Sequence, residues 1–244
     1  MKKLFYIIGG IIILILVVVI VSGEGKKETE IETENINYEI NIEDNNEIAE
    51  DWARINIGNI GSIDYPDNVL ELQSGIYKEF MDEAHKIFKI DESNFVLQQK
   101  GLNDLSTSSF DKYARIMFQT IKVDTGGLTN INERPPFSES ELNEFGDGLR
   151  NQIISEFKRL GDVTGQKNKI IEWNPATIKE INNMYPVILT YKRQLNDNPI
   201  VLVKQYQFWD DNQVYRIVFS YRVEDESEYK DIYQDIIKSF SINN

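Results

Sequence analysis

A chain of 244 residues carries 26 Lys and Arg against 40 Asp and Glu, a formal net charge of −14, and no cysteine. The charge opposes nucleic acid and anionic lipid or wall polymers, because affinity for a polyphosphate comes chiefly from Lys and Arg releasing its counterions. The missing cysteine excludes disulfides, lipoprotein-type acylation, thiolate metal sites and cysteine nucleophiles together.

Residues 4–21 are apolar throughout, broken only by Gly9 and Gly10, and run 18 residues without a charge. That is just enough to cross about 30 Å of hydrocarbon at about 1.5 Å per residue. It exceeds the roughly 7–15 residues of a signal-peptide core, so an uncleaved transmembrane anchor over 1–22 is favoured. The competing reading is a cleaved signal, for which Val21, Ser22 and Gly23 offer small residues. Lys2 and Lys3 hold the amino end in the cytoplasm, against a weaker pull from Lys26 and Lys27, and the bulk of the chain is expected outside. From 24 to 51 there are 11 acidic and 2 basic residues with no bulky apolar cluster, so 23–51 reads as a solvated, self-repelling linker. Within it Ile36, Tyr38, Ile40 and Ile42 alternate with polar residues and offer a short edge strand instead.

The folded domain is expected over 52–244. Two alternating runs, 52–58 and 61–66, read as a hairpin ended by Pro66. A helix is predicted over 74–90, with Tyr77, Met81 and their helical neighbours on one arc. Residues 95–99 and 113–123 read as strands, the second apolar on both faces and so central. Ser138 and Glu141 form a capping box, and Leu142, Phe145, Leu149, Ile153, Phe157 and Leu160 repeat at helical spacing until Gly161 is expected to stop the helix. Three β-rich runs, 185–195, 200–209 and 214–223, joined by Asn and Asp turns, form an antiparallel meander. Asp225 with Glu228 is predicted to cap a last helix that steps along Tyr229, Ile232, Tyr233, Ile236, Ile237 and Phe240. Strands in runs with helices inserted between them point to an α+β fold, an antiparallel sheet flanked by helices.

This order of elements resembles the PsbP-like group, named for a subunit of the photosynthetic oxygen-evolving complex. The resemblance is carried by the hairpin ending in Ile63, Asp64, Tyr65 and Pro66, by the late meander, and by the closing helix ending in Ile237, Lys238, Ser239 and Phe240. It spans about 52–240. It implies a sandwich of antiparallel sheet and helices and a binding or accessory role, and it brings no functional residue, since the group shares no catalytic motif. The connection over 124–137 is longer than a minimal domain of this group needs.

No set of residues supplies a catalytic or metal site. His85 is the only histidine, so multi-histidine metal sites and Ser-His-Asp triads lack members. Asp124, Thr125 and Gly126 match the aspartic-protease tripeptide, whose chemistry needs two carboxylates sharing a proton, but they occur once and suit a turn. Ser109 with Lys112 and Ser155 with Lys158 satisfy Ser-x-x-Lys spacing without the accompanying Lys-Thr-Gly. The acidic clusters at 43–44, 210–211 and 224–228 lack EF-hand spacing and suit turns or caps. Trp173, Tyr191, Tyr206, Trp209, Tyr215 and Tyr221 either fill the core or form an exposed ribbon able to stack on a sugar or peptide.

The expected function is therefore a membrane-tethered, non-enzymatic binding or envelope-accessory protein with no cofactor, an envelope protein as partner and no nucleic acid. Its rivals are an extracytoplasmic hydrolase, built on a serine with lysine or on Asp124 sharing a concave site with Asp64 or Asp111, and a purely structural envelope protein.

Overall fold

The computed structural model describes residues 40–43, 51–58, 60–88, 95–104, 111–122, 130–210 and 213–243. The anchor expected over 1–22 and the linker over 23–39 and 44–50 lie outside the described residues, as do Asp124 and Ser109. Among the described residues no helix is long and apolar enough to cross a membrane.

Where one sheet was expected there are two. The small one runs β1 (Ile40–Glu43), β2 (Trp52–Ile57), β3 (Gly61–Pro66) and, paired to β3, the terminal β12 (Ser241–Ile242). The folded sheet thus starts inside the stretch read as linker, with Ile42 of β1 opposite Ile55 of β2. The large sheet has the order β4 (Leu70–Leu72), β5 (Phe95–Gln99), β6 (Ala114–Lys122), β11 (Gln213–Arg222), β10 (Val201–Asp210), β9 (Val187–Leu195), β7 (Asn168–Trp173), with β8 (Thr177–Ile178) also on β9. All pairs are antiparallel. The meander is as predicted, and β6 sits inside the sheet with Phe118 opposite Ile217.

Side chains of period two divide the large sheet into two apolar faces. One face, with Val96, Met117, Val218, Val203 and Leu189, is covered by Tyr77 and Met81 of α1 (Gly75–Phe88) and by Leu149, Ile153, Phe157 and Leu160 of α2 (Glu139–Thr164). The other, with Phe118, Ile217, Phe219 and Phe208, packs against Ile55, Ile57 and Ile63 of the small sheet and Tyr229, Tyr233, Ile236 and Ile237 of α3 (Glu226–Ser239). Phe240, fully buried just past α3, brings its ring within 5.0 Å of Phe208 and 6.0 Å of Phe118. Each such buried ring contributes about 2–3 kcal/mol relative to exposure.

Of three helix-end signals in the sequence, the capping box held and two did not. Ser138 Oγ accepts from Glu141 N–H at 3.3 Å, while Glu141 Oε2 accepts from the Ser138 hydroxyl at 2.6 Å and from Ser138 N–H at 2.8 Å; these two bonds to the carboxylate, the hydroxyl's first, hold the Glu141 carboxyl below its ordinary pKa. Gly161 does not stop α2. The helix continues to Thr164 and ends on Gly165, left-handed at φ 72°, whose N–H donates to Gly161 O at 2.8 Å. A Cβ at Gly161 would lie 2.7 Å from Gln166 O, so that glycine lets the departing chain fold back on the helix. Asp225 stands at the α3 N-cap position but makes no capping bond, because a 3-10 turn (Val223–Asp225) precedes the helix. Its carboxylate instead accepts from Tyr113 N–H, its Oδ2 is buried without a hydrogen bond, and burial raises its pKa.

Candidate functional site

A cleft of about 190 Å³ opens where α3 crosses the outer face of β9, β10 and β11. The small sheet and α3 cover that face over β6 and β11 but leave Thr190, Leu202 and Lys204 half-exposed. The floor is set by strand parity: Leu202, Lys204 and Tyr206 from β10 point the same way, beside Phe219 and Tyr221 of β11. The wall is one stripe of α3, with Glu226, Lys230, Tyr233 and Gln234 at helical spacing.

Aromatic rings stiffen the cleft. Tyr206 meets Phe219 edge-on at 5.5 Å, Phe219 meets Tyr233 at 4.9 Å, and Tyr221 meets Tyr233 edge-on at 5.4 Å. The Tyr233 hydroxyl donates to Ser220 O at 3.2 Å. Burial raises the pKa of the Tyr206 phenol, and burial with nearby Glu226 pushes that of Tyr221 up to about 12, so both remain neutral hydrogen-bonding groups at physiological pH.

Lys204 gives the cleft its charge. Its Nζ lies 5.2 Å from the Tyr206 ring centroid, a cation–π arrangement, and it makes no ion pair among the described residues. Burial, reinforced by Lys179, lowers its pKa. Lys230 is matched by Glu226 at 3.2 Å, so the cleft keeps one uncompensated cation on a chain of net charge −14. Such a group can pair with a carboxylate or phosphate oxygen, and its partial desolvation strengthens that bond. The volume is below the roughly 300–1,000 Å³ of drug-sized pockets, and it suits one side chain or a small head group.

The six aromatic candidates do not make one ribbon. Trp173, Tyr191 and Trp209 pack in the helix-covered core, with Trp173 stacked on Tyr191 at 5.4 Å; Tyr206, Tyr215 and Tyr221 are on the opposite face. All except the half-buried Trp173 are buried, so core packing accounts for the set as a whole, while Tyr206 and Tyr221 also line the cleft. Asp64 is taken up in a forked pair with Arg54 at 2.6 and 2.8 Å. Asp111 is exposed beside β6, Ser155 and Lys158 are exposed on α2, and Lys112 pairs with Glu228 at 2.5 Å. No group of three metal-ligating side chains occurs among the described residues. Sequence reasoning passed over Lys204, although it is the only cation between Ile200 and Trp209 in an otherwise apolar and amide-bearing strand.

Neither known protein families nor curated proteins yield a match to the chain. Among solved structures it is similar to the solution structure of cyanobacterial PsbP (CyanoP) from Synechocystis sp. PCC 6803. The two are 8% identical, with 88% of this chain and 98% of that chain covered and a TM-score of 0.41. This is the same group that the sequence resembles, and no residue role or activity is carried over from it.

Proposed function

We propose that this chain is a membrane-tethered, non-enzymatic binding domain, displayed outside the cytoplasm, that seats an acidic side chain of an envelope protein in the Lys204 cleft. The observation that carries the reading is the half-buried Lys204 ammonium, without an ion-pair partner among the described residues and set over the Tyr206 ring. An approaching carboxylate would replace water at a cation that is already partly desolvated, while Tyr206 and Tyr221 provide apolar contact and hydroxyls. The apolar run over 4–21 supports tethering, and the acidic spacer supports a standoff from the membrane.

The test is a crosslinking pulldown from membranes. It compares the intact chain, a form lacking the first 23 residues, Lys204→Glu, and Lys158→Glu on the far side of the domain as control. A partner captured by the intact chain and by Lys158→Glu but lost with Lys204→Glu is the expected result. Equal capture by Lys204→Glu, or no reproducible partner with any form, would refute it.

A further inference from the structure

The helix-covered face of the large sheet buries an unusual amount of positive charge. Arg115, Arg193 and Arg216 are exposed by only 1%, 3% and 2%, and strand parity places all three on the side of α1 and α2. Arg115 Nη2 donates to the Tyr77 hydroxyl at 3.1 Å, while its Nε is buried without a hydrogen bond. Neither Arg115 nor Arg193 makes an ion pair among the described residues.

The register shows what lies between them. Arg115 is opposite Ser220, Ser220 opposite Val203 and Val203 opposite Tyr191, so the row from β6 to β9 is low in the middle and tall at both ends. Over that low centre the Tyr113 hydroxyl lies 3.4 Å from Ser220 Oγ, and the Tyr191 phenol is within electrostatic reach of both Arg193 and Arg216. One row further along β10, Gln205 is 1% exposed and its Nε2 has no hydrogen bond. α1 stands over the β6 end through Tyr77, and α2 packs on β7 at the other end. This covered face therefore holds guanidinium and amide donors in excess, in a setting where buried charge is tolerated only with counter-charge and hydrogen bonds.

We propose that this cluster of buried donors, over β10 and β11 between α1 and α2, forms an internal binding site for one small oxyanion, held chiefly by Arg115 and Arg193 with Tyr191 and Gln205 beside them. Water would satisfy the donors but leave the charge uncompensated, whereas an oxyanion does both, and guanidinium planes match its oxygens in forked geometry. The site is distinct from the Lys204 cleft, which lies on the opposite face of the same strands.

The test uses the full chain, purified in chloride. Inorganic phosphate, sulfate or acetate is then titrated at constant ionic strength, with heat of binding and Tm as readouts. Saturable binding of one of the three is expected, with a Tm rise of about 5–10 °C at a hundred times its Kd. A response to phosphate or sulfate would identify a tetrahedral anion, and one to acetate a carboxylate. Arg193→Met should weaken binding at least about tenfold while melting in chloride no lower than the parent, because it removes a charge that lacks compensation there. Lys158→Gln, exposed on α2 and outside both sites, should keep the full response, and Lys204→Gln should keep the part of it that Arg193→Met removes. The proposal fails if no oxyanion differs from chloride, a result that needs no variant, or if Lys204→Gln abolishes the response while Arg193→Met keeps it.

Discussion

Replacing Gly61 with alanine tests how the small sheet closes. A Cβ at this position would overlap the carbonyl oxygen of Ser241 and lie 2.8 Å from its carbonyl carbon and 2.9 Å from Ile242 Cα. These are backbone atoms that no rotamer change can move aside, and β3 cannot retreat because Ser239 Oγ accepts from Asp64 N–H at 2.8 Å just beyond. The terminal strand β12 must leave instead. It would give up its pairing with Ser62 and Gly61, the Asn243 N–H bond to Ile60 O at 2.7 Å, and the half-buried Ile242 side chain. Two or three backbone hydrogen bonds at about 1 kcal/mol each, with part of one isoleucine, amount to about 3 kcal/mol. For a domain of roughly 190 residues this lowers Tm by about 6–12 °C, read by calorimetry or circular dichroism. Gly148→Ala is the matched control, since nothing lies within 4 Å of a Cβ there on α2; it should stabilise by about 1 kcal/mol. If Gly61→Ala melts within about 2 °C of the parent while Gly148→Ala rises, β12 does not sit on β3 and the reasoning is wrong.

Two predictions concern titrating groups. Burial and Lys179 hold the Lys204 pKa below the ordinary lysine value, so more of its amine is neutral near pH 8; limiting acylating reagent should modify it ahead of exposed Lys158 and Lys169. Peptide mass spectrometry reads the order, and Lys204 trailing both would contradict the site's electrostatics. Asp225 has the opposite problem, because burial, with Glu224 and Glu228 nearby, raises its pKa despite Arg222 and the Tyr113 N–H. With the folded pKa raised, its contribution to stability is fully present below the ordinary value of 3.8 and lost as pH climbs through the folded value. Asp225→Asn should therefore melt higher than the parent at pH 7, with the gain disappearing below about pH 4; a variant melting lower at pH 7 would show that the ionised carboxylate supports the fold.

Legibility followed the range of the interaction. The β2–β3 hairpin, β5, the meander and the α2 capping box depend on neighbours a few residues apart, and alternation or cap chemistry exposes them directly. β7 was missed because a bulge between Ile170 and Glu172 breaks its alternation and leaves Ile171 43% exposed on an edge strand. Asp225 followed by Glu228 has the letters of a cap, yet burial against Tyr113, a residue 112 positions earlier, gives its carboxylate another partner. The Lys204 cleft depends on where α3 lands, which no local pattern contains. Tyr206 and Tyr221 entered the sequence reading as aromatic candidates, but Lys204, which gives them a chemical role, did not.

By itself the sequence determined the charge balance, the apolar run over 4–21, the absence of cysteine chemistry and the type of most elements, because each depends on composition or on spacing within one element. Tertiary structure alone decided that the strands divide into two sheets, that Ser241 returns to Ser62, that six aromatic residues separate onto two faces, and that three arginines share a buried one. Those outcomes come from contacts between residues far apart in the chain. A strand's period fixes which side chains share a face but does not say which partner strand or helix will cover it.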